Sequence, residues 1–80
     1  MLTELASSNR VVGVKQSRKA IREGRAARVF LAADADPAIT EPIEAMCRQN
    51  SVDYVWVSSK QELGRSCGIE VGAAAAAAVD

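Results

Sequence analysis

Apolar positions along the chain alternate between helical spacing and continuous runs. Leu2, Leu5 and Ala6 line one side of a short helix over 3–8. Residues 11–13 read as a short strand ended by glycine. From 15 to 23 the spacing becomes helical. Ser17, Ala20, Ile21 and Gly24 gather on one side, and Lys15, Arg18, Lys19 and Arg22 on the other. Gly24 stops this helix. Arg28-Val29-Phe30-Leu31-Ala32-Ala33 is a continuous apolar run, the mark of a strand covered on both faces.

Asp34-Ala35-Asp36-Pro37 is turn chemistry leading into a helix. Ile39, Ile43, Met46, Cys47 and Asn50 then follow a helical stripe. Asp36 as cap with Pro37 in the first turn leaves Pro42 in the helix interior, where proline is unfavourable. Thr40 as cap puts Pro42 in the first turn. The spacing favours an irregular first turn and a regular helix from about Glu41. Residues 52–57 form another apolar strand. Ser59-Lys60-Gln61-Glu62 fits a capping box, with Ser59 as cap and Glu62 reaching back. Its helix covers 60–67 and ends at Gly68. Ile69-Glu70-Val71-Gly72 is a loop. The alanine run 73–78 is ambiguous: propensity favours helix, but six residues after a glycine are too short for a helix standing alone. Helices alternating with buried strands predict an α/β sandwich in a single domain, 1–80, with no linker or repeat.

A domain of eighty residues buries only about 60% of the surface of its unfolded chain. With 49% hydrophobic residues and only Phe30, Tyr54 and Trp56 as aromatics, its core is mostly aliphatic. Tyr54 and Trp56 are expected in the core. The formal net charge is zero, yet the charges are segregated. Arg10, Lys15, Arg18, Lys19, Arg22, Arg25 and Arg28 share one segment with a single acid, Glu23. Asp34, Asp36, Glu41, Glu44 and Asp53 cluster in the middle, where helix capping and surface solvation are their expected roles. A neutral chain that gathers its cations on one helix, at the end where backbone N–H groups are free, points to an anionic partner.

There is no histidine. That excludes a Ser–His–Asp triad, a Cys–His pair and a histidine-containing zinc finger. Cys47 falls on a core stripe and Cys67 at a helix end. Both are expected to be packing residues in a reduced, cytoplasmic setting, and two thiols without histidine make a poor metal site. No signal peptide and no bilayer-spanning apolar segment is recognised. The chain is read as a non-enzyme with no cofactor and no metal.

Three stretches, taken in order, carry a resemblance. Gly13-Val14-Lys15-Gln16-Ser17-Arg18-Lys19-Ala20, then Ala33-Asp34-Ala35-Asp36-Pro37, then Leu63-Gly64-Arg65-Ser66-Cys67-Gly68-Ile69-Glu70-Val71-Gly72-Ala73-Ala74-Ala75 resemble the kink-turn RNA-binding family of ribosomal protein L-seven-Ae, particularly its short bacterial members. The resemblance covers nearly the whole chain. It implies a three-layer α-β-α sandwich with a four-stranded mixed sheet, in which the alanine run is the last strand. It also implies binding to kink-turns, RNA duplexes bent sharply at a bulge followed by tandem sheared G·A pairs.

By that resemblance, Gly13 is the turn before the recognition helix, Lys15 and Gln16 reach guanine edges, and Lys19 meets a phosphate. The loop from Cys67 to Val71, with Gly68, Ile69 and Glu70, lies against the bulge, and Ile69 gives apolar contact to a splayed nucleotide. Val14 stands where the archaeal and eukaryal pattern has threonine, so no hydroxyl contact is made there. Arg18 and Arg22 extend the basic stripe. Lysine donates to guanine O6 and N7, and a kink opens the deep groove that regular RNA closes to side chains. The implied partner is structured RNA, free or on the ribosome, bound by a monomer away from membranes. The alternative is a protein-interaction adaptor on the same fold, working through the acidic middle.

Overall fold

The computed structural model describes residues 9–79. The helix expected over 3–8 lies outside them. The order is β1 (Arg10–Val12), α1 (Val14–Arg22), β2 (Ala26–Ala32), α2 (Pro37–Gln49), β3 (Asp53–Val57), α3 (Lys60–Ser66) and β4 (Ala75–Val79). The strands form one mixed sheet in the order β1-β4-β2-β3. β4 runs antiparallel to both β1 and β2, and β2 runs parallel to β3.

Alternation along the strands sends side chains into two cores. Val29, Leu31, Ala75, Ala77 and Val79 meet Ala20 and Ile21 of α1 and Ile43 and Cys47 of α2. Phe30, Ala32, Val57, Ala76 and Ala78 meet Leu63 and Cys67 on the side of α3. The result is the expected three-layer α-β-α sandwich with its four-stranded mixed sheet. All five residues of β4 are buried. Alanine, the best helix former, is extended here because the backbone of β4 pairs with strands on both sides. Its small side chains also let helices close on both faces.

Four local expectations are corrected. α2 starts at Pro37, not near Glu41: Asp36 is its cap, accepting the Ala38 N–H at 2.9 Å. Pro42 therefore sits inside the helix. It deprives only the Ala38 carbonyl of a donor, and both residues are exposed to solvent rather than buried in the core. Burial of Thr40, Ile43 and Cys47 on the other side holds the helix through this gap. Thr40 rather than Ile39 turns inward, and Ile39 is exposed. Only half of the capping box forms: Ser59 Oγ accepts the Glu62 N–H at 3.0 Å, while the Glu62 carboxylate takes the Ser58 hydroxyl. Trp56 is half exposed because β3 is an edge strand, whereas Tyr54 is half-buried and donates its hydroxyl to Glu44 at 2.8 Å.

Candidate nucleic-acid interface

One end of the sheet gathers the turn before α1, the turn before α2, the start of α3 and the loop entering β4. The antiparallel pairing of β4 with β1 and β2 and the parallel pairing of β2 with β3 bring this about. Gly13 donates its N–H to the Ala75 carbonyl at 2.8 Å, so the start of α1 lies beside residues that leave α3. The Ala32 N–H bonds the Ala74 carbonyl at 3.0 Å, the Ala73 N–H bonds the Lys60 carbonyl at 3.0 Å, and the Lys60 N–H bonds Asp34 at 2.8 Å.

Gly13 has φ 105° and ψ 159°, backbone angles that a residue with a Cβ rarely adopts. Nothing lies within 4 Å of where its Cβ would be, so the conformation rather than space selects glycine. As N-cap it offers no side-chain acceptor, and the first turn carries no acid. The first intrahelical bond is Ser17 N–H to the Gly13 carbonyl at 3.0 Å. The amides of Val14, Lys15 and Gln16 are thus without helical partners at the positive end of the dipole.

Around α1 the order is Val14, Arg18, Arg22, Lys15, Lys19 and Gln16, spaced by about 20–60° on a 100° helix. Ser17, Ala20 and Ile21 are buried opposite, as the sequence pattern predicts, whereas Gly24 falls beyond the helix with φ 72°. Lys15, Gln16, Arg18, Lys19 and Arg22 are exposed, and Val14 is half-buried against the core. Val14, Lys15, Arg18 and Arg22 line an open cleft of about 460 Å³. Gln16 lies on the other flank. None of the four cations is in an ion pair among the described residues, and the neighbouring Glu23 is taken by Arg25 at 3.4 Å. Their field is therefore uncancelled locally.

The loop is set by the end of α3. The Gly68 N–H bonds the Arg65 carbonyl and the Ile69 N–H bonds the Gly64 carbonyl, each at 3.0 Å. This is a Schellman closure, and Gly68 supplies its left-handed residue with φ 79°. Ile69 is the hydrophobic residue that such a closure turns back, and it is half-buried against the α3-side core. Gly68 and Glu70 are exposed, and Val71 is 70% exposed, more than any other large hydrophobic among the described residues. Two glycines let the loop lie on α3. A Cβ on Gly64 would overlap the Val71 carbonyl oxygen, and one on Gly72 would come 3.1 Å from Lys60 Cβ.

Every residue expected at the interface thus falls at this end or along α1. The apolar group it offers outward is Val71 rather than Ile69. Lys60 was not singled out from sequence; it is exposed, and its carbonyl holds Ala73. The capping-box position of Ser59 fixes Lys60 at the helix start, but only the loop's return shows that it borders the interface. The thiols contribute nothing here. Cys47 is fully buried, and burial, then Glu44, pushes its pKa up to about 11. Burial also raises that of Cys67, with Arg10 pulling it part of the way back. Among the described residues no acidic, cysteine or histidine cluster is spaced to hold a metal ion, and no helix is long and apolar enough to cross a membrane.

Residues 2–80 match the profile of the Ribosomal protein L7Ae/L30e/S12e/Gadd45 family. An RNA-binding protein of Caldanaerobacter subterraneus subsp. tengcongensis is 40% identical over 78 residues, 98% of this chain and 95% of that protein. One from Geobacillus kaustophilus is 45% identical over 67 residues, 84% of this chain and 82% of its own. Among solved structures, the Giardia lamblia 15.5kD RNA binding protein superposes with a TM-score of 0.88 at 30% identity, covering 98% of this chain and 66% of that one. The glycine turn, the loop closed on α3 and the strand order sit on a chain that the family profile matches almost end to end. The protein is a member of the ribosomal protein L7Ae/L30e/S12e/Gadd45 family.

Proposed function

We propose that the protein binds RNA and selects kink-turns, acting in the cytoplasm as a monomeric ribosome-associated protein or as a clamp that holds RNA bent. The observation that carries the reading is the bond between Gly13 and Ala75, which sets an uncapped, cation-bearing helix start beside a loop with an exposed apolar tip. The helix start enters the groove opened by the kink. Lys15 donates to guanine O6 and N7 of the G·A pairs, and Gln16 offers both donor and acceptor from the adjacent flank. Lys19 takes a phosphate. Arg18 and Arg22 hold backbone along the cleft, and Lys60 adds a cation across the loop. Gly68, Glu70 and Val71 face the bulge. Val71 packs on a splayed nucleotide, with Ile69 supporting it from the core. Binding only the kinked form shifts RNA towards it.

The adaptor reading needs free carboxylates in the acidic middle. Several are engaged by the fold itself: Asp36 caps α2, Asp34 takes the Lys60 N–H, and Glu44 takes Tyr54 and pairs with Arg48 at 3.3 Å. Buried thiols and a sequence without histidine support binding rather than catalysis. The test is a gel shift comparing a kink-turn with the same RNA lacking its G·A pairs. The kink-turn is expected to bind about tenfold tighter or more, about 1.4 kcal/mol. Equal affinity for the two refutes the kink-turn reading.

A further inference from the structure

We propose that Arg10 is a positioning residue that fixes the spacing between the recognition loop and the start of α1 before RNA arrives. Arg10 stands in β1 opposite Ala78, three positions before Gly13. Its guanidinium reaches 57 residues along the chain to a single carbonyl. Nε and Nη2 both donate to the Cys67 oxygen, at 3.0 and 2.7 Å.

That oxygen is a natural place for a brace. The Schellman closure consumes the Gly64 and Arg65 carbonyls. The Cys67 carbonyl follows at the negative end of α3, with no later N–H to receive. A cation there makes a charge-assisted bond, and the planar fork of arginine delivers two donors along one direction. The loop's other early anchors tie it to its own helix: Ile69 N–H to Gly64, Gly72 packed on Lys60, and Ala73 N–H to Lys60. Arg10 ties the loop's beginning to β1, and the Gly13–Ala75 bond ties its end to the turn that follows β1. Residues 68–74 are therefore strung between two fastenings three residues apart, one on β1 and one in the turn by which β1 leads into α1. A guanidinium engaged in this way differs from those of Arg18 and Arg22, which are free to meet phosphate.

The inference rests on the kink-turn reading for its functional meaning, and the test separates the two. Arg10→Lys keeps the charge but loses the fork, and Arg10→Met keeps the stem but loses the charge. Without RNA, amide hydrogen exchange at Ile69, Glu70 and Val71 is expected to quicken about tenfold in both variants while β2 is unchanged. With RNA, both variants are expected to bind the kink-turn about fivefold more weakly or worse. Arg10→Lys is expected to keep wild-type affinity for the RNA lacking G·A pairs and a wild-type salt slope. Wild-type loop exchange in the folded variants overturns the brace. So does full recovery of kink-turn affinity by Arg10→Lys when Arg10→Met weakens both RNAs and lowers the salt slope by roughly one, because Arg10 is then a phosphate contact. If wild-type protein binds the two RNAs equally, the kink-turn reading fails, and exchange measured without RNA still decides the brace. Arg10→Lys is the milder change and carries the test should Arg10→Met unfold.

Discussion

Gly64→Ala adds one methyl group at the point where the loop lies on α3. A Cβ built there falls inside the Val71 carbonyl oxygen, 3.1 Å from the Val71 carbonyl carbon and 3.2 Å from Gly72 Cα. All three neighbours are backbone atoms, so no side-chain rotation relieves the overlap. Ordinary contact begins near 3.4 Å, and the loop must retreat by roughly an ångström to reach it. Overpacking of this kind destabilises by about 1–3 kcal/mol, offset by about 1 kcal/mol from the helix propensity of alanine over glycine. The domain should therefore stay folded, with a modestly lower melting temperature. The larger effect falls on binding. The displaced carbonyl belongs to Val71, and losing an apolar contact worth about 1.5 kcal/mol weakens kink-turn binding about tenfold. The cations of α1 do not move, so affinity for RNA without G·A pairs and the salt slope should stay at wild-type values. Fluorescence anisotropy with both RNAs across a salt series, beside a thermal melt, reads all of this. Wild-type kink-turn affinity in a folded Gly64→Ala protein, or an equal loss on both RNAs, would refute the reasoning.

Gln16→Ala should reduce discrimination between the two RNAs and leave the salt slope nearly unchanged, whereas Lys19→Ala should weaken both and lower the slope by roughly one unit or less. The opposite pattern in the same titrations means that the amide meets backbone and the lysine reads bases. Val71→Asp should weaken kink-turn binding with little change in melting temperature, because the side chain is 70% exposed. Ile69→Asp should lower the melting temperature, because that side chain packs on the α3-side core; a melt that ranks the two the other way removes Val71 from the outward role. The Cys47 thiol keeps its proton up to about pH 11 in the folded chain, against an ordinary value of 9.0. Its stabilising contribution is complete below the unfolded value and is lost as pH rises from there through the folded one. The stability gap between wild type and Cys47→Ala should accordingly narrow from pH 9 to 11, and a gap that widens contradicts the burial of the thiol.

Periodicity alone determined α1, β2 and the existence of α2, because a helix with Ser17, Ala20 and Ile21 on one side has only one face to bury. The glycines also declared themselves. Gly13, Gly24 and Gly68 mark element ends in sequence, and each has positive φ. The segregation of Lys15, Arg18, Lys19 and Arg22 was visible for the same reason, since a charge pattern on one helix needs no knowledge of what lies across from it. Tertiary structure decided what depends on distant partners. The alanine run became a strand because β1 and β2 supply donors and acceptors that its helix propensity cannot replace. Asp36 rather than Thr40 became the cap of α2, because inward burial of Thr40, Ile43 and Cys47 outweighed one missing bond at Pro42. Trp56, at core spacing in sequence, is half exposed because β3 forms the sheet edge. Ile69 and Val71 have similar chemistry two residues apart, and only the closure of α3 turns one inward and the other out. The link from Arg10 to Cys67 joins residues 57 positions apart, and no local pattern records it, because it exists only once β1 and β4 have paired.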